Sequence, residues 1–249
     1  MVSRIDYEKL AEAIGDWIRR TLIDAGMDGL VLGVSGGLDS AVTAALGAGA
    51  LSPDRVLGLV MPCGSVTSDT EDGLRIVRHL GIEGRTIELS PVLESFLEAG
   101  GLQETDRLNI ANTKSRLRMA MLYAHSRGRL VLGTGNFSEL RVGYWTKWGD
   151  GAADLLPIGR LYKEEVRELA RALGLPGWVI EKVPSAGLWP GQSDEKEMGF
   201  TYGDIMEYFR GGEVPRETAD RIGDMVRATE HKRRPIPCFE ARKWMEDNV

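Results

Sequence analysis

The segment that most limits what this chain can fold into is Gly33-Val34-Ser35-Gly36-Gly37-Leu38-Asp39-Ser40, set directly after the apolar run Leu30-Val31-Leu32. The short run Leu30–Val34 predicts a strand, and the stretch from about Leu38 to Ala50 predicts a helix. Between them, adjacent glycines let the backbone bend tightly and approach a ligand with its N–H groups turned inward. The N-terminus of the helix that follows favours an anion. Ser35 and Ser40 add hydroxyl donors, and Asp39 has the chemistry to hold a magnesium ion against phosphate oxygens. No GxxxxGK[ST] pattern is present, so this is not a Walker A loop. The bland alternative is a Gly/Ser turn ahead of a capped helix.

The strand-then-helix alternation continues. Arg55–Met61 reads as a second strand, about Asp69–Leu80 as a helix, and Arg85–Leu89 as a third strand. A long helical pattern covers roughly Thr105–Ser126, and Arg129–Gly133 is the fourth strand. Such alternation predicts an α/β fold, a doubly wound, Rossmann-like parallel sheet with helices on both faces. Right-handed crossovers constrain the order, and since chains of this type commonly step outward through strands one to three and then return, strand four is expected beside strand one. The switch point then lies between strands one and four, at the loops Ser35–Ser40 and Thr134–Glu139. Ahead of the sheet, Ile5 to about Ala25 carries Leu10, Ile14, Trp17, Ile18 and Ile23 at near-helical spacing. Beyond it, Leu161–Leu173 reads as an amphipathic helix. Pro184–Gly199, rich in Gly, Pro and charge, is expected to be a functional lid or a mobile segment. No repeat, low-complexity tract or Pro/Ser-rich linker interrupts residues 1–249, so a single domain is expected.

Composition excludes several classes. With 31 Lys+Arg against 37 Asp+Glu the net charge is −6, which argues against nucleic acid as the main partner, since phosphate binding relies on basic surface. Cys63 and Cys238 form neither a CxxC pair nor a metal-ligand cluster, which fits a reducing compartment. The first ten residues hold acidic side chains and no apolar h-region. The longest weakly polar stretch, Ala41–Leu51, falls far short of the roughly 20 residues that a membrane span needs. A cytoplasmic protein without a membrane anchor is expected.

A Ser-Gly-Gly-x-Asp-Ser loop after a strand resembles the pyrophosphatase loop of enzymes that split ATP into AMP and pyrophosphate. Alone, it leaves GMP synthetase, argininosuccinate synthetase, tRNA thiolation enzymes and NAD synthetase open. Further blocks decide between them. They are Asn112-x-x-x-Arg116-Leu117-Arg118-Met119, Gly133-Thr134-Gly135-Asn136-Phe137-Ser138-Glu139 and Gly143–Gly151 (GYWTKWGDG). Pro157-Ile158 with Leu161-Tyr162-Lys163 follows, then Pro184–Trp189, Gly191-Gln192-x-Asp194-Glu195, and His231-Lys232-Arg233. In this order, across roughly residues 30–235, the chain resembles the ammonia-dependent NAD synthetase family, whose fold is adenine nucleotide alpha hydrolase-like.

The resemblance implies roles for particular residues. Gly33, Val34, Ser35, Gly36, Gly37, Leu38, Asp39 and Ser40 would cradle the ATP phosphates, joined by Thr134, Lys163 and Ser185. Asp39 and Glu139 would hold magnesium (Mg2+). Arg116, Lys147, Asp154, His231 and Lys232 would contact deamido-NAD. Lys163 is a catalytic candidate, and so is Asp150, as the group that accepts a proton from the attacking ammonium. Each has a plainer alternative: Arg116 a solvated helix charge, Glu139 a helix N-terminal acid, Asp150 a turn residue, His231–Arg234 a solvated basic run. Phe137 stands where many members carry a polar or basic residue, and Arg141 and Trp148 replace commoner apolar and tyrosine choices. These departures are expected at the walls of the site.

The implied reaction joins ATP, deamido-NAD and ammonia through an acyl-adenylate. Members that use glutamine carry an extra amidohydrolase domain, for which these 249 residues leave no space; free ammonia is therefore the expected donor, with room left for a separate glutaminase subunit. A homodimer with the dinucleotide near the subunit interface is also implied. A tRNA thiolation enzyme would need paired cysteines and a basic surface. A non-catalytic ATP sensor would have no reason to keep Glu139, Lys147, Asp154 and Lys163 together.

Overall fold

The computed structural model of the protein describes residues 5–103, 105–185 and 193–248. Helix α1 (Tyr7–Asp24) starts at Asp6, whose carboxylate accepts the Lys9 N–H, and it buries Ile18 and Leu22. Trp17 and Ile23, counted into its apolar stripe by spacing, stay 39% and 76% exposed. The alternating core follows as β1 (Gly29–Gly33), α2 (Leu38–Ala50), β2 (Val56–Val60), α3 (Thr67–Leu80), β3 (Glu83–Thr86), α4 (Ser90–Gly100), α5 (Arg107–Ala124) and β4 (Arg129–Val131). The sheet is parallel throughout with order β3-β2-β1-β4, the order expected from the strand–helix alternation. After β4, Leu132 forms a parallel bridge with Leu155.

Strand residues alternate in direction, and the packing follows that alternation. Leu30, Leu32, Val56 and Val60 meet one helical layer, which contains Ile18 of α1 and Leu46 of α2. It also holds Val166 and Leu169 of α7 (Lys163–Ala172), and α8 (Gly177–Ile180) adds Val179 and Ile180. Val31, Leu57, Leu59 and Val131 meet the other layer, formed by Leu93 of α4 with Leu117, Met121 and Leu122 of α5. Burying a Leu or Ile contributes about 2 kcal/mol, and strands covered on both faces therefore read as unbroken apolar runs. Four further helices are α9 (Asp194–Met198), α10 (Tyr202–Arg210), α11 (Arg216–Ala228) and α12 (Glu230–Arg233). Met198, Phe200, Tyr202, Ile205 and Ile222 form a third apolar cluster with Val142 of α6 (Phe137–Val142). Helix α13 (Ala241–Asp247) lies near the C-terminus.

Two local expectations are corrected. The third strand lies at Glu83–Thr86, two residues earlier than its apolar pattern indicates. Gly84 allows this, because a Cβ there would stand 2.4 Å from Val77 Cγ1 of α3. Beyond Thr86 the pairing continues irregularly, with Ile87 N–H donating to Val60 O at 2.9 Å and Leu89 N–H to Pro62 O at 2.8 Å. Helix α4 fills a stretch in which the sequence pattern indicated no element. Pro91 opens it, and Gly101, at φ +62°, ends it in the left-handed conformation. Of the expected lid, Pro184–Gly199, residues 186–192 lie outside the described residues; on either side of them, Asp194 N–H donates to Pro184 O at 3.3 Å. Among the described residues no helix is long and apolar enough to cross a membrane.

Candidate active site

The loop between β1 and α2 depends on one backbone conformation. Gly36 has φ +84°, and a Cβ there would lie 2.6 Å from Asp69 O and 2.9 Å from Asp72 Cβ, so the start of α3 closes against a position that only glycine fills without strain. Lys182 Nζ holds that start of α3, donating to Asp69 Oδ1 at 2.9 Å and Asp72 Oδ2 at 2.7 Å. The two serines shape the loop. Ser40 Oγ donates to Gly37 O at 2.9 Å and accepts the Ser35 N–H at 3.3 Å, while Ser35 Oγ accepts the Gly37 N–H at 3.3 Å. No side chain caps α2 at Gly37, which leaves first-turn N–H groups for an anionic ligand.

Three carboxylates gather around one ammonium beside this loop. Lys163 is 3% exposed. Its Nζ donates to the Asp39 carboxylate and lies 3.4 Å from Glu139 Oε1. Asn136 Nδ2 donates to Asp39 Oδ1 at 3.3 Å. The same asparagine caps α6, accepting the Glu139 N–H at 3.0 Å, while Glu139 Oε2 accepts the Asn136 N–H at 3.4 Å. Glu139 is therefore both a capping-box acid and a cavity wall. Tyr202, 1% exposed, places its hydroxyl 3.0 Å from Asp194 Oδ2 and 3.2 Å from Glu139 Oε1.

These positions set the charges. Burial pushes the Glu139 carboxyl up to about 8; Lys163 opposes the rise, and Asp39 and Asp194 add to it. Burial works against the Lys163 charge, but Asp39 and Glu139 more than offset it and hold its pKa above the ordinary lysine value. Burial, then Glu139 and Asp194, raise the Tyr202 phenol far above its ordinary value, so it remains a proton donor. Among the described residues no three His, Cys, Asp or Glu side chains converge to hold a metal ion by themselves. Asp39 and Glu139 nevertheless fit magnesium, which commonly takes one or two carboxylates and completes its shell with water and substrate phosphates.

A cavity of about 470 Å³ runs from this cluster across the carboxyl ends of β1, β2 and β4. Gly33, Val34, Ser35, Gly37, Leu38, Asp39, Ser40, Thr134, Glu139, Lys163 and Ser185 line it, as do Asp150 and Lys232. Arg116, Lys147, Asp154 and His231 do not. Arg116 reaches Lys147 O through Nε and Nη2 at 3.3 Å, and Lys147 Nζ reaches His231 O at 2.8 Å. These three residues thus form a linked patch outside the cavity. Asp154 clasps β4, its Oδ2 accepting the Val131 N–H at 2.7 Å and its Oδ1 the Tyr123 hydroxyl at 3.2 Å. Lys232 Nζ holds the start of the GYWTKWGDG segment, donating to Gly143 O at 2.7 Å and to Trp145 O.

That turn holds Asp150 firmly. Asp150 Oδ1 accepts the Ser115 hydroxyl at 2.7 Å and the Thr146 N–H at 2.9 Å. Gly149 is needed for the approach to α5, because a Cβ there would sit 2.3 Å from Ser115 Oγ. Trp148 takes φ +63°, an uncommon conformation for a bulky residue that concentrates at functional sites. It is 53% exposed and lies outside the cavity. Phe137 and Arg141 also leave the cavity wall, contrary to expectation. Phe137 packs edge-on to Tyr162 at 5.0 Å, and the Arg141 guanidinium lies over Phe209 at 4.2 Å and Phe137 at 5.6 Å.

Arg118 and the pair Asp194–Tyr202 were not singled out from the sequence. Arg118 lines the cavity and donates to Met61 O and Ser65 Oγ, both at 3.0 Å. The sequence held no clear signal for it, because apolar residues are spread around α5. Leu108, Ala111, Asn112, Ser115, Arg118, Met119 and Leu122 recur at helical spacing along α5 and all face the cavity, whereas Arg116, on the flank of that face, reaches Lys147 O instead. Asp194 sits in one of the resemblance blocks, but its link to Tyr202 and Glu139 has no local pattern.

The comparisons with known proteins agree with this geometry. The family model described as NAD synthase matches residues 10–236. The chain is 47% identical over 236 residues to the NH(3)-dependent NAD(+) synthetase of Carboxydothermus hydrogenoformans, covering 93% of this chain and 97% of that one. A solved structure of an NMN synthetase from Francisella tularensis superposes with TM-score 0.91 at 35% identity, covering 95% of this chain and 100% of that chain. An NH3-dependent NAD synthetase from Campylobacter jejuni superposes with TM-score 0.80 at 31% identity, covering 95% and 100%. The fold is the adenine nucleotide alpha hydrolase-like one that the sequence led us to expect. From its sequence match and its three-layer parallel architecture alike, the chain belongs to the NAD synthase family.

Proposed function

We propose that this chain is a C–N bond-forming ligase that converts deamido-NAD and ammonia to NAD at the expense of ATP, releasing AMP and pyrophosphate. The observation that carries the reading is the cluster of Asp39, Glu139 and Lys163 beside the Gly33–Ser40 loop, in a cavity that also receives Asp150. A carboxylate needs a better leaving group than hydroxide before ammonia can displace it. In this reading the nicotinate carboxylate attacks the α-phosphorus of ATP, and ammonia then attacks the acyl carbon of the resulting adenylate. The loop N–H groups and Lys163 stabilise the negative charge that gathers on the departing pyrophosphate. Magnesium, held by Asp39 and Glu139, would neutralise part of that charge when bound. Thr134 and Ser185 complete the phosphate end, and Asp150 binds the incoming ammonium and takes its proton.

Lys232, Arg116, Lys147 and His231 are assigned to the dinucleotide. Asp154, tied to β4, serves it by placing the edge of the sheet. We read residues 1–249 as one domain working as a cytoplasmic homodimer, with a separate glutaminase subunit as the alternative source of ammonia.

The likeness to an NMN synthetase, at TM-score 0.91, favours a second reading in which the acceptor is the mononucleotide nicotinate mononucleotide. One assay separates the two. The protein is incubated with ATP, magnesium and ammonium plus either acceptor, and NAD, NMN and AMP are quantified. NAD and AMP formed in equal amounts from deamido-NAD support the first reading. Faster amidation of the mononucleotide supports the second. No AMP with either acceptor overturns both.

A further inference from the structure

Tyr202 opens α10 inside the apolar cluster that joins α6, α9, α10 and α11. Packing fixes its ring, and its backbone N–H donates to Glu195 Oε1 at 3.0 Å, which ties it to α9. The Lys163 ammonium stands 5.0 Å from the ring centre. The hydroxyl is left at the boundary between this cluster and the cavity, 3.2 Å from Glu139 Oε1 and 3.0 Å from Asp194 Oδ2. Asp194 is itself 4% exposed and 3.4 Å from the Tyr144 hydroxyl.

A glutamate has three rotatable bonds, so one anchor does not fix both of its oxygens. In Glu139 the capping bond from Asn136 N–H ties Oε2, and Tyr202 is placed to tie Oε1, the oxygen that faces Lys163 and Asp39. A phenol orients a carboxylate without neutralising it, which leaves the charge available to a cation.

We propose that Tyr202 is a positioning residue whose single hydroxyl proton, given to Glu139 in preference to Asp194, fixes Glu139 for a divalent cation shared with Asp39 and the ATP phosphates. This rests on the reading above that Asp39 and Glu139 hold magnesium. Removing such an outer partner of a metal ligand typically weakens metal affinity 10–100-fold, whereas a tyrosine that served only to fill the core would leave the metal response unchanged.

The test uses the full chain with saturating ATP and no acceptor. Magnesium is titrated, and the rise in melting temperature gives the half-saturating concentration; pyrophosphate exchange with deamido-NAD is followed in parallel. Tyr202→Phe keeps the ring and removes only the hydroxyl. Its half-saturating magnesium concentration is expected to rise roughly tenfold, with the KM for deamido-NAD unchanged. Asp194→Asn, a second variant should Tyr202→Phe not fold, removes the competing carboxylate and is expected to leave the half-saturating magnesium concentration unchanged or lower; a roughly tenfold rise there would overturn the proposal. A Tyr202→Phe titration that superimposes on that of the parent overturns the proposal, even if the ligand-free melting temperature falls. If the parent itself shows no magnesium-dependent stabilisation by ATP, the proposed function fails before the role of Tyr202 is reached.

Discussion

The ammonium of Lys163 meets the carboxylate of Asp39 across 124 residues of sequence, with 4% of the lysine side chain and 17% of the aspartate exposed. Lys163 begins α7, where the helix dipole disfavours a cation, by about 0.3–1 kcal/mol at an exposed site. Asp39 stands in the first turn of α2, where the dipole favours it. The pair therefore holds a lysine at a position that helix energetics alone would not select. Replacing it by Lys163→Met leaves buried carboxylates without their cation, and about 3 kcal/mol of stability is expected to be lost. ATP–pyrophosphate exchange should fall by at least about 100-fold. Denaturant unfolding and exchange assays measure the two effects separately. Exchange within tenfold of the parent would remove Lys163 from the phosphate chemistry.

Asp39→Asn is expected to abolish turnover while the protein stays folded, because a neutral amide is a poor substitute for a carboxylate on magnesium. Asn136 Nδ2 would still find an oxygen acceptor at position 39, so the loop keeps that bond. The check is a rate measurement up to saturating magnesium together with circular dichroism. Near-normal rates would sink the metal role of Asp39.

The Glu139 carboxyl gives a pH dependence with a definite sign. Its pKa is about 8 in the folded protein against an ordinary 4.5. Below pH 4.5 both folded and unfolded chains hold the proton, and no difference arises. Above it the unfolded chain releases the proton while the folded one retains it, so stability falls as pH rises and levels off beyond about pH 8. Since 18% of the side chain is exposed, the loss is expected to be on the order of 2 kcal/mol. Thermal unfolding of the ligand-free protein from pH 5 to 9, compared with Glu139→Gln, isolates this contribution. Identical slopes for the two proteins would contradict it.

Asp150→Asn should slow amide formation far more than adenylation. The structure gives Asp150 the plain turn role as well, since Oδ1 accepts both the Ser115 hydroxyl and the Thr146 N–H. An asparagine oxygen can keep both bonds, so the substitution removes charge and basicity while leaving the turn in place. Pyrophosphate exchange dependent on deamido-NAD reports adenylation, and NAD formation at several ammonium concentrations reports the second step. An equal fall in both would leave Asp150 as a turn residue only.

What the sequence by itself determined is what short-range physics encodes. The glycine loop and the strand and helix periods marked the alternating elements, and the usual winding of such chains then led to the order β3-β2-β1-β4 and to the two loops at its switch point. The phase of α5 was not legible, because its apolar residues are spread around the helix; the structure turns Arg118 to the cavity while Arg116, which the motif had favoured, reaches Lys147 O. Tertiary packing decided the rest. The third strand starts two residues early because Gly84 must lie against Val77. Phe137 and Arg141 turn to Phe209 and Tyr162 instead of the cavity. Asp194, Tyr202 and Glu139 meet only when α6, α9 and α10 pack together, Tyr202 and Glu139 being 63 positions apart in sequence. The charge state of that cluster likewise arises from burial and from three carboxylates crowding one ammonium, and those are distances between helices that no local pattern in the chain contains.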